Sequence, residues 1–71
     1  MSAVATKEIE VTFDDLRIDD RVVVKDFDHN AYGAHGKVYW LDHETRLISV
    51  VTDGHVDVWE GCADGLLKIV N

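Results

Sequence analysis

Hydrophobic and polar residues alternate along much of the chain, with the period of two that is typical of β-strands. In 8–13, Ile9, Val11 and Phe13 alternate with polar residues, which predicts a half-buried strand. Three consecutive valines in 21–27 predict a strand that is partly covered on both faces. The complete set of predicted strands is 8–13, 21–27, 37–42, 46–52, 55–60 and 66–70.

Residues that favour turns separate these strands. The Asp pairs between the first two strands predict a turn, or a single helical turn capped by Asp14 with Leu16 facing the core. The dipeptide Asp53-Gly54 predicts a two-residue hairpin with a type I′ turn. Further connections are predicted as a loop at 28–36 and a tight or single 3₁₀ turn at 61–65.

The predicted fold class is all-β, with five to six short antiparallel strands in a small closed barrel and one short helical or 3₁₀ turn at most. A β-sandwich usually needs about 100 residues, which is more than the 71 of this chain. Strand 8–13 is expected to pair with strand 66–70 and to cover an otherwise open edge. This single domain spans 8–71, preceded by a flexible N-terminal arm of residues 1–7.

Residues 20–42 resemble the KOW and Tudor branches of the SH3-like barrels. A valine-rich strand at 22–24 is followed by the spacing Gly33-x-x-Gly36-x-Val38 and by Leu41-Asp42, and the closing strand 66–70 follows a short turn. The resemblance covers roughly residues 20–70 and implies an SH3-like fold. KOW domains typically bind RNA, ribosomal protein or RNA polymerase through basic surfaces. Tudor domains hold methylated lysine or arginine in an aromatic cage.

The charge of the chain separates these functions. Fourteen acidic and seven basic residues give a net charge of −7. Because nucleic-acid binding depends on lysine and arginine that neutralise phosphates, direct binding to nucleic acid is disfavoured. The acidic residues cluster in 14–28 and 53–64, which either keeps the chain soluble or forms an acidic face for a basic partner protein.

The aromatic residues have two alternative interpretations. Phe27, Tyr32, Tyr39, Trp40 and Trp59 are the candidates for a cage, with Asp53 or Asp57 as the acidic member. Packing in the core or at a barrel end is the alternative for Trp40 and Trp59. If Val56 and Val58 face inward, Trp59 shares an outward face with His55 and Asp57. The predicted binding residues, from loop 28–36 and hairpin 53–60 and their borders, are Phe27, His29, Tyr32, His35, Asp53, His55, Asp57, Trp59 and Glu60.

Nothing in the sequence indicates a reaction centre. The four histidines lack the spacing of a metal site and are expected in exposed loops. The single cysteine, Cys62, excludes an internal disulfide and is expected to be a small packed residue. A barrel of this size has little wall for a substrate pocket. We therefore expect no enzymatic activity, no catalytic or metal-ligating residue and no cofactor.

The sequence thus predicts a small adaptor or regulatory module that binds a basic partner protein or a nucleic-acid-handling machine. It is expected to be cytoplasmic, because it has neither a signal sequence nor a membrane-spanning stretch. It is also expected to be a monomer or weak homo-oligomer. Three alternatives remain. They are a KOW-like contact with RNA, the ribosome or RNA polymerase through Lys25, Lys37 and Arg46, a phage-type inhibitor that mimics nucleic-acid charge, and a structural subunit that pairs through a strand edge.

Overall fold

The computed structural model of the chain describes residues 7–26, 31–55 and 58–70. Within these ranges it contains six strands and three single 3₁₀ turns, at Phe13–Asp15, Asp53–His55 and Ala63–Gly65. The strands are β1 (Lys7–Glu10), β2 (Arg21–Val24), β3 (His35–Asp42), β4 (Leu47–Thr52), β5 (Val58–Gly61) and β6 (Leu66–Val70). The all-β class and the strand at 66–70 are confirmed. The prediction of at most one short helical or 3₁₀ turn is wrong, because the β4–β5 and β5–β6 connections each contain a 3₁₀ turn as well.

All strand pairs are antiparallel, in the order β1-β6-β2-β3-β4-β5. Strands β2 to β5 form a meander in chain order, and β6 returns to pair with β2. Its other edge pairs with β1, with Glu8 opposite Ile69, which confirms the predicted pairing of the two terminal segments. Because β6 uses both edges, the described strands form a sheet that ends at β1 and β5. The expected closure into a cylinder is wrong for them.

One side of the sheet carries the hydrophobic core. Val22, Val24 and Leu66 come from the paired strands β2 and β6. All three consecutive valines of β2 are buried, and this confirms that the strand is covered on both faces. The core residues are Phe13, Leu16, Val22, Val24, Ala31, Val38, Ile48, Val50, Trp59 and Leu66.

The N-terminal alternation does not continue as a strand up to Phe13. Strand β1 ends at Glu10, and Ile9 is 41% exposed because β1 lies at the end of the sheet, beyond the core. Phe13 begins a 3₁₀ turn and is buried. Its alternation with Ile9 therefore comes from two different elements rather than from one half-buried strand.

The first 3₁₀ turn begins after Thr12 rather than being capped by Asp14. The backbone N–H and the hydroxyl of Thr12 both donate to Oδ2 of Asp15, at 3.1 Å. Leu16, which follows the turn, is buried as predicted. All helical structure in the described residues is of this single-turn kind, and none of it has the length or hydrophobicity of a membrane-spanning helix.

The predicted two-residue hairpin between β4 and β5 is wrong. Val51 pairs with Val58, so residues 53–57 connect the two strands. A type I′ turn needs a positive φ at both central residues, but only Gly54 of the Asp53-Gly54 pair has one, at 82°. Val58 lies opposite Val51 and Trp59 opposite the core residue Val50. Because partners in antiparallel strands share a face, Val58 is half exposed and Trp59 is 1% exposed.

Trp59 is the largest of the fully buried side chains. Its Nε1–H donates to Oδ2 of Asp26 at 3.2 Å. A Cβ atom at Gly61 or Gly65 would lie 2.6 or 2.7 Å from the indole ring, so the ring needs glycine at both positions. The interpretation of Trp59 as an outward binding residue is wrong, and its alternative as a packed residue is confirmed.

Candidate protein-interaction face

A β-bulge in β3 places two aromatic side chains on the outer side of the sheet, away from the core. Val38 pairs with Val50, and the next pair is Trp40 with Ser49, so Tyr39 is the additional residue. In a bulge two residues oppose one residue of the neighbouring strand. Tyr39 is 48% exposed and Trp40 is 58% exposed. The expected packing of Trp40 is therefore wrong, because the bulge keeps both rings outside the core.

Two rows of cross-strand partners continue this surface across β4 and β5. One row joins Lys37 to Val51 and Val58, and the other joins Trp40 to Ser49 and Glu60. Partners in antiparallel strands lie on the same face. The outer β3–β5 face is therefore defined by Lys37, Tyr39, Trp40, Ser49, Val51, Val58 and Glu60.

The chemical character of this face is mixed. Its exposed apolar part consists of Tyr39, Trp40 and Val58, with the partly buried Val51 between the outer strands. Lys37 and Glu60, both exposed, stand in the same rows. Large exposed side chains that are scattered singly need no explanation, whereas a contiguous apolar patch with a polar rim is typical of a protein-interaction site.

Ser49 is buried although it lies on the outer side, since its cross-strand neighbours Trp40 and Glu60 are much larger. Its hydroxyl donates to Oε2 of Glu60 at 3.2 Å. This hydrogen bond holds the Glu60 carboxylate above β4, on the side of the sheet that carries the Trp40 indole.

Asp53, one of the predicted binding residues, forms a bidentate ion pair within the chain. The Arg21 guanidinium donates two hydrogen bonds of 2.8 Å to its two carboxylate oxygens. The bond from Arg21 lowers the pKa of Asp53, and the nearby positive charges of Arg21, His35 and Lys37 lower it further. The same pair raises the pKa of Arg21. Asp53 thus fastens the β4–β5 connection to β2.

The other predicted binding residues lie in different places. Tyr32 and His35 line one groove, together with Val23 and Leu67. Glu60 belongs to the outer β3–β5 face, and Trp59 is in the core. Phe27, His29, Asp57 and the side chain of His55 lie outside the described residues. The predicted set is therefore not one surface in the described part of the chain.

Sequence reasoning missed Val51 and Val58 as surface residues and assigned Trp40 to the interior. The orientation of Trp40 depends on the bulge. Val51 and Val58 are paired with each other and alternate with the core residues of their strands. One signal was present, because two consecutive large aromatic residues in a strand cannot share a face unless the strand has a bulge.

Most of the basic side chains already have acidic partners. Nζ of Lys25 lies 3.5 Å from Oε2 of Glu10, and Nη2 of Arg46 lies 3.4 Å from Oδ2 of Asp14. Lys37, by contrast, lies on the outer β3–β5 face. The three basic residues considered for RNA contact therefore do not act as three free cations. A further ion pair joins Lys68 to Asp20 at 3.3 Å.

The described residues contain no cluster of three or more histidine, cysteine or acidic side chains that is arranged to hold a metal ion. His35 and His43 are exposed, and the rings of His43 and Phe13 are nearly perpendicular, with centroids 5.3 Å apart. Cys62 is exposed rather than packed.

Comparison with protein-family models, with curated proteins and with solved structures finds no match for this chain. The all-β fold and the outer β3–β5 face are therefore the features from which a function can be inferred.

Proposed function

We propose that the chain is an SH3-like module that binds a basic partner protein through the outer β3–β5 face. The strand order supports the SH3-like part of this proposal. A four-stranded meander, β2 to β5, is followed by a single 3₁₀ turn and by β6, which returns to pair with β2. This arrangement resembles the SH3-like barrels, with β1 as an added strand.

The single observation that carries the binding proposal is the pair of exposed aromatic rings at the β3 bulge. Tyr39 and Trp40 lie beside Val51 and Val58 in adjacent rows of the sheet. Tryptophan and tyrosine are the side chains that most often anchor protein interfaces. A partner that covers these rings removes apolar surface from water, at roughly 25 cal/mol for each Å².

Charge indicates the chemistry of the partner. The chain has a net charge of −7, and the described ion pairs of its basic residues engage Glu10, Asp14, Asp20 and Asp53 rather than Glu60. Glu60 is therefore available on the face itself. A basic protein is attracted by the net charge and is oriented by this carboxylate.

The alternatives have weaker support. A KOW-like contact with RNA would use Lys25, Lys37 and Arg46, two of which are engaged with acidic side chains. An inhibitor that mimics nucleic-acid charge would present the acidic cluster at 14–28. Asp14 and Asp20 in that cluster are engaged in ion pairs within the chain.

Affinity capture tests the proposal. The immobilised chain is exposed to a nuclease-treated lysate of its source, in parallel with the variants Trp40→Ala and Tyr32→Ala. Tyr32 is the matched control, since it is a half-exposed aromatic residue outside the outer β3–β5 face. We expect basic proteins that salt releases, that Tyr32→Ala retains and that Trp40→Ala loses.

Two results would contradict the proposal. One is capture of the same proteins by Trp40→Ala and by the unmodified chain. The other is retention of RNA from an untreated lysate, with a steep loss of binding as salt rises, which would favour the KOW-like alternative.

A further inference from the structure

Trp40, Ser49 and Glu60 form one cross-strand row over β3, β4 and β5. Neighbouring strands lie about 4.8 Å apart, so the backbones of Trp40 and Glu60 are about 10 Å apart. The short Ser49 side chain between them is covered, at 4% exposure. The Trp40 ring on β3 and the Glu60 carboxylate on β5 therefore face the solvent on the two sides of β4.

We infer that this Trp40–Glu60 pair receives an arginine side chain of the partner protein, an inference that rests on the proposed function. A guanidinium is flat and stacks on an indole face. Its edge carries N–H groups in a fork that matches the two oxygens of a carboxylate. One group can thus satisfy both sides of the row.

The Ser49 hydroxyl prepares the carboxylate for this contact. It donates to Oε2 of Glu60 at 3.2 Å, which orients the group and leaves Oε1 and one lone pair of Oε2 to accept further bonds. Among the described ion pairs none involves Glu60. Lys37, the basic member of the outer β3–β5 face, stands in the neighbouring row and is paired with Val51.

Arginine fits the Trp40–Glu60 pair better than the other side chains do. Lysine has a compact ammonium group without a flat face or a fork. An aliphatic side chain would cover the indole but would leave the carboxylate facing apolar surface, and an acidic side chain would be repelled by it. The pair therefore selects an arginine among the basic residues of a partner.

Two peptides test this inference. In one, valine alternates with arginine, and in the other, valine alternates with citrulline. Citrulline has nearly the shape of arginine but no charge. In nitrogen–proton correlation spectra, we expect the arginine peptide to shift the indole N–H of Trp40 and the amides of Ser49 and Glu60. The indole N–H of Trp59, which is buried and bonded to Asp26, serves as the internal control. The citrulline peptide is expected to bind about tenfold more weakly.

The variants Glu60→Gln and Glu44→Gln remove the same charge from different places. Glu44 is an exposed residue in the β3–β4 turn. We expect Glu60→Gln to weaken binding of the arginine peptide about tenfold, whereas Glu44→Gln changes it less than about twofold. Glutamine retains an oxygen that accepts the Ser49 hydrogen bond, so the variant keeps the local structure.

Several outcomes would overturn the inference, and they can be told apart from failure of the proposed function. Equal losses in the two variants would mean that the peptide responds to net charge alone. Shifts centred on Tyr32 and His35 would place the arginine in the other groove. In both cases the proposed function would still hold if the capture of a basic partner depended on Trp40. The proposed function would be contradicted if Trp40→Ala captured that partner as well as the unmodified chain does.

Discussion

Three aspartate carboxylates accept hydrogen bonds in the folded chain. Asp15 accepts from the backbone N–H and the hydroxyl of Thr12, and Asp42 accepts from the backbone N–H groups of Thr45 and Glu44. These bonds lower the pKa of Asp15 and Asp42. The hydrogen bonds from Arg21 lower the pKa of Asp53 in the same way. Each of these carboxylates binds its proton less readily in the folded chain than in the unfolded chain.

The free energy of unfolding is therefore expected to fall in acid. A carboxylate with a lowered pKa in the folded state contributes stability above the pKa of the unfolded state, about 3.9 for aspartate, and the contribution is lost as pH falls through the folded value. We predict that Asp53→Asn is less stable than the unmodified chain near neutral pH. The difference should disappear at a pH below the folded pKa of Asp53. Urea unfolding between about pH 7 and pH 2 measures this difference.

Glu44→Gln is the control, because it removes an equal charge that has no described ion pair. Its stability is expected to follow that of the unmodified chain over the whole range of pH. The assignment of Asp53 to the Arg21 ion pair would be contradicted if Asp53→Asn and the unmodified chain kept a constant difference down to the lowest pH.

At the scale of elements, β1 contributes little to the core. All four of its side chains are exposed, and the buried residues begin with Phe13 in the turn that follows. We predict that a chain lacking residues 1–10 still folds. Its free energy of unfolding should fall by about 1–3 kcal/mol, since each backbone hydrogen bond lost between β1 and β6 contributes roughly 1 kcal/mol. Circular dichroism and urea unfolding provide the measurement.

Phe13→Ala in the full chain is the comparison. Phe13 is 6% exposed and belongs to the core, and removal of a buried phenylalanine side chain costs about 3–5 kcal/mol. The substitution should therefore be more harmful than the deletion. If the deletion unfolded the chain and Phe13→Ala did not, β1 would be an integral part of the fold rather than an added strand.

The predictable parts of the fold are those that local pattern determines. Strand 66–70 was predicted with its observed bounds because a turn rich in small residues precedes a compact apolar run. The end of β1 at Glu10 was not predictable, since the alternation that begins at Ile9 continues past Glu10 to Val11 and Phe13. The open ends of the sheet follow from β6 pairing on both edges, which is a property of distant segments together.

The candidate site was less predictable than the fold for the same reason. Trp40 and Trp59 both occur in strands with alternating patterns, yet a bulge before Trp40 and the pairing of Trp59 with the core residue Val50 decide their faces. The bulge adds one residue, which exchanges inside and outside beyond it, and the partner of Trp59 lies in a different strand. Composition and charge remain informative, because they do not depend on register.

For the whole molecule, charge at the end of the sheet opposes association through strand edges. If two copies of β1 paired antiparallel about Ile9, Glu8 of one copy would face Glu10 of the other. Like charges in directly opposed positions destabilise a strand pair, and charged side chains protect edge strands from pairing. We predict a monomer in sedimentation equilibrium at micromolar concentrations.

The double variant Glu8→Thr with Glu10→Thr removes this protection and gives β1 two residues that favour strands. It should associate more strongly than the unmodified chain. A dimer of the unmodified chain that persists in the double variant and in a chain lacking β1 would show that another surface mediates association, and the outer β3–β5 face would be the first to examine.

The opposite environments of the two tryptophans are the observation on which the proposed face depends. Phe substitutions at Trp59 and at Trp40 leave one tryptophan each, and quenching of their fluorescence by acrylamide measures the exposure of the remaining ring. We predict strong quenching and emission at longer wavelength for Trp59→Phe, in which Trp40 is the remaining tryptophan. For Trp40→Phe we predict a protected emission at shorter wavelength. Equal quenching in two folded variants, or protection of Trp40 with exposure of Trp59, would contradict these predictions.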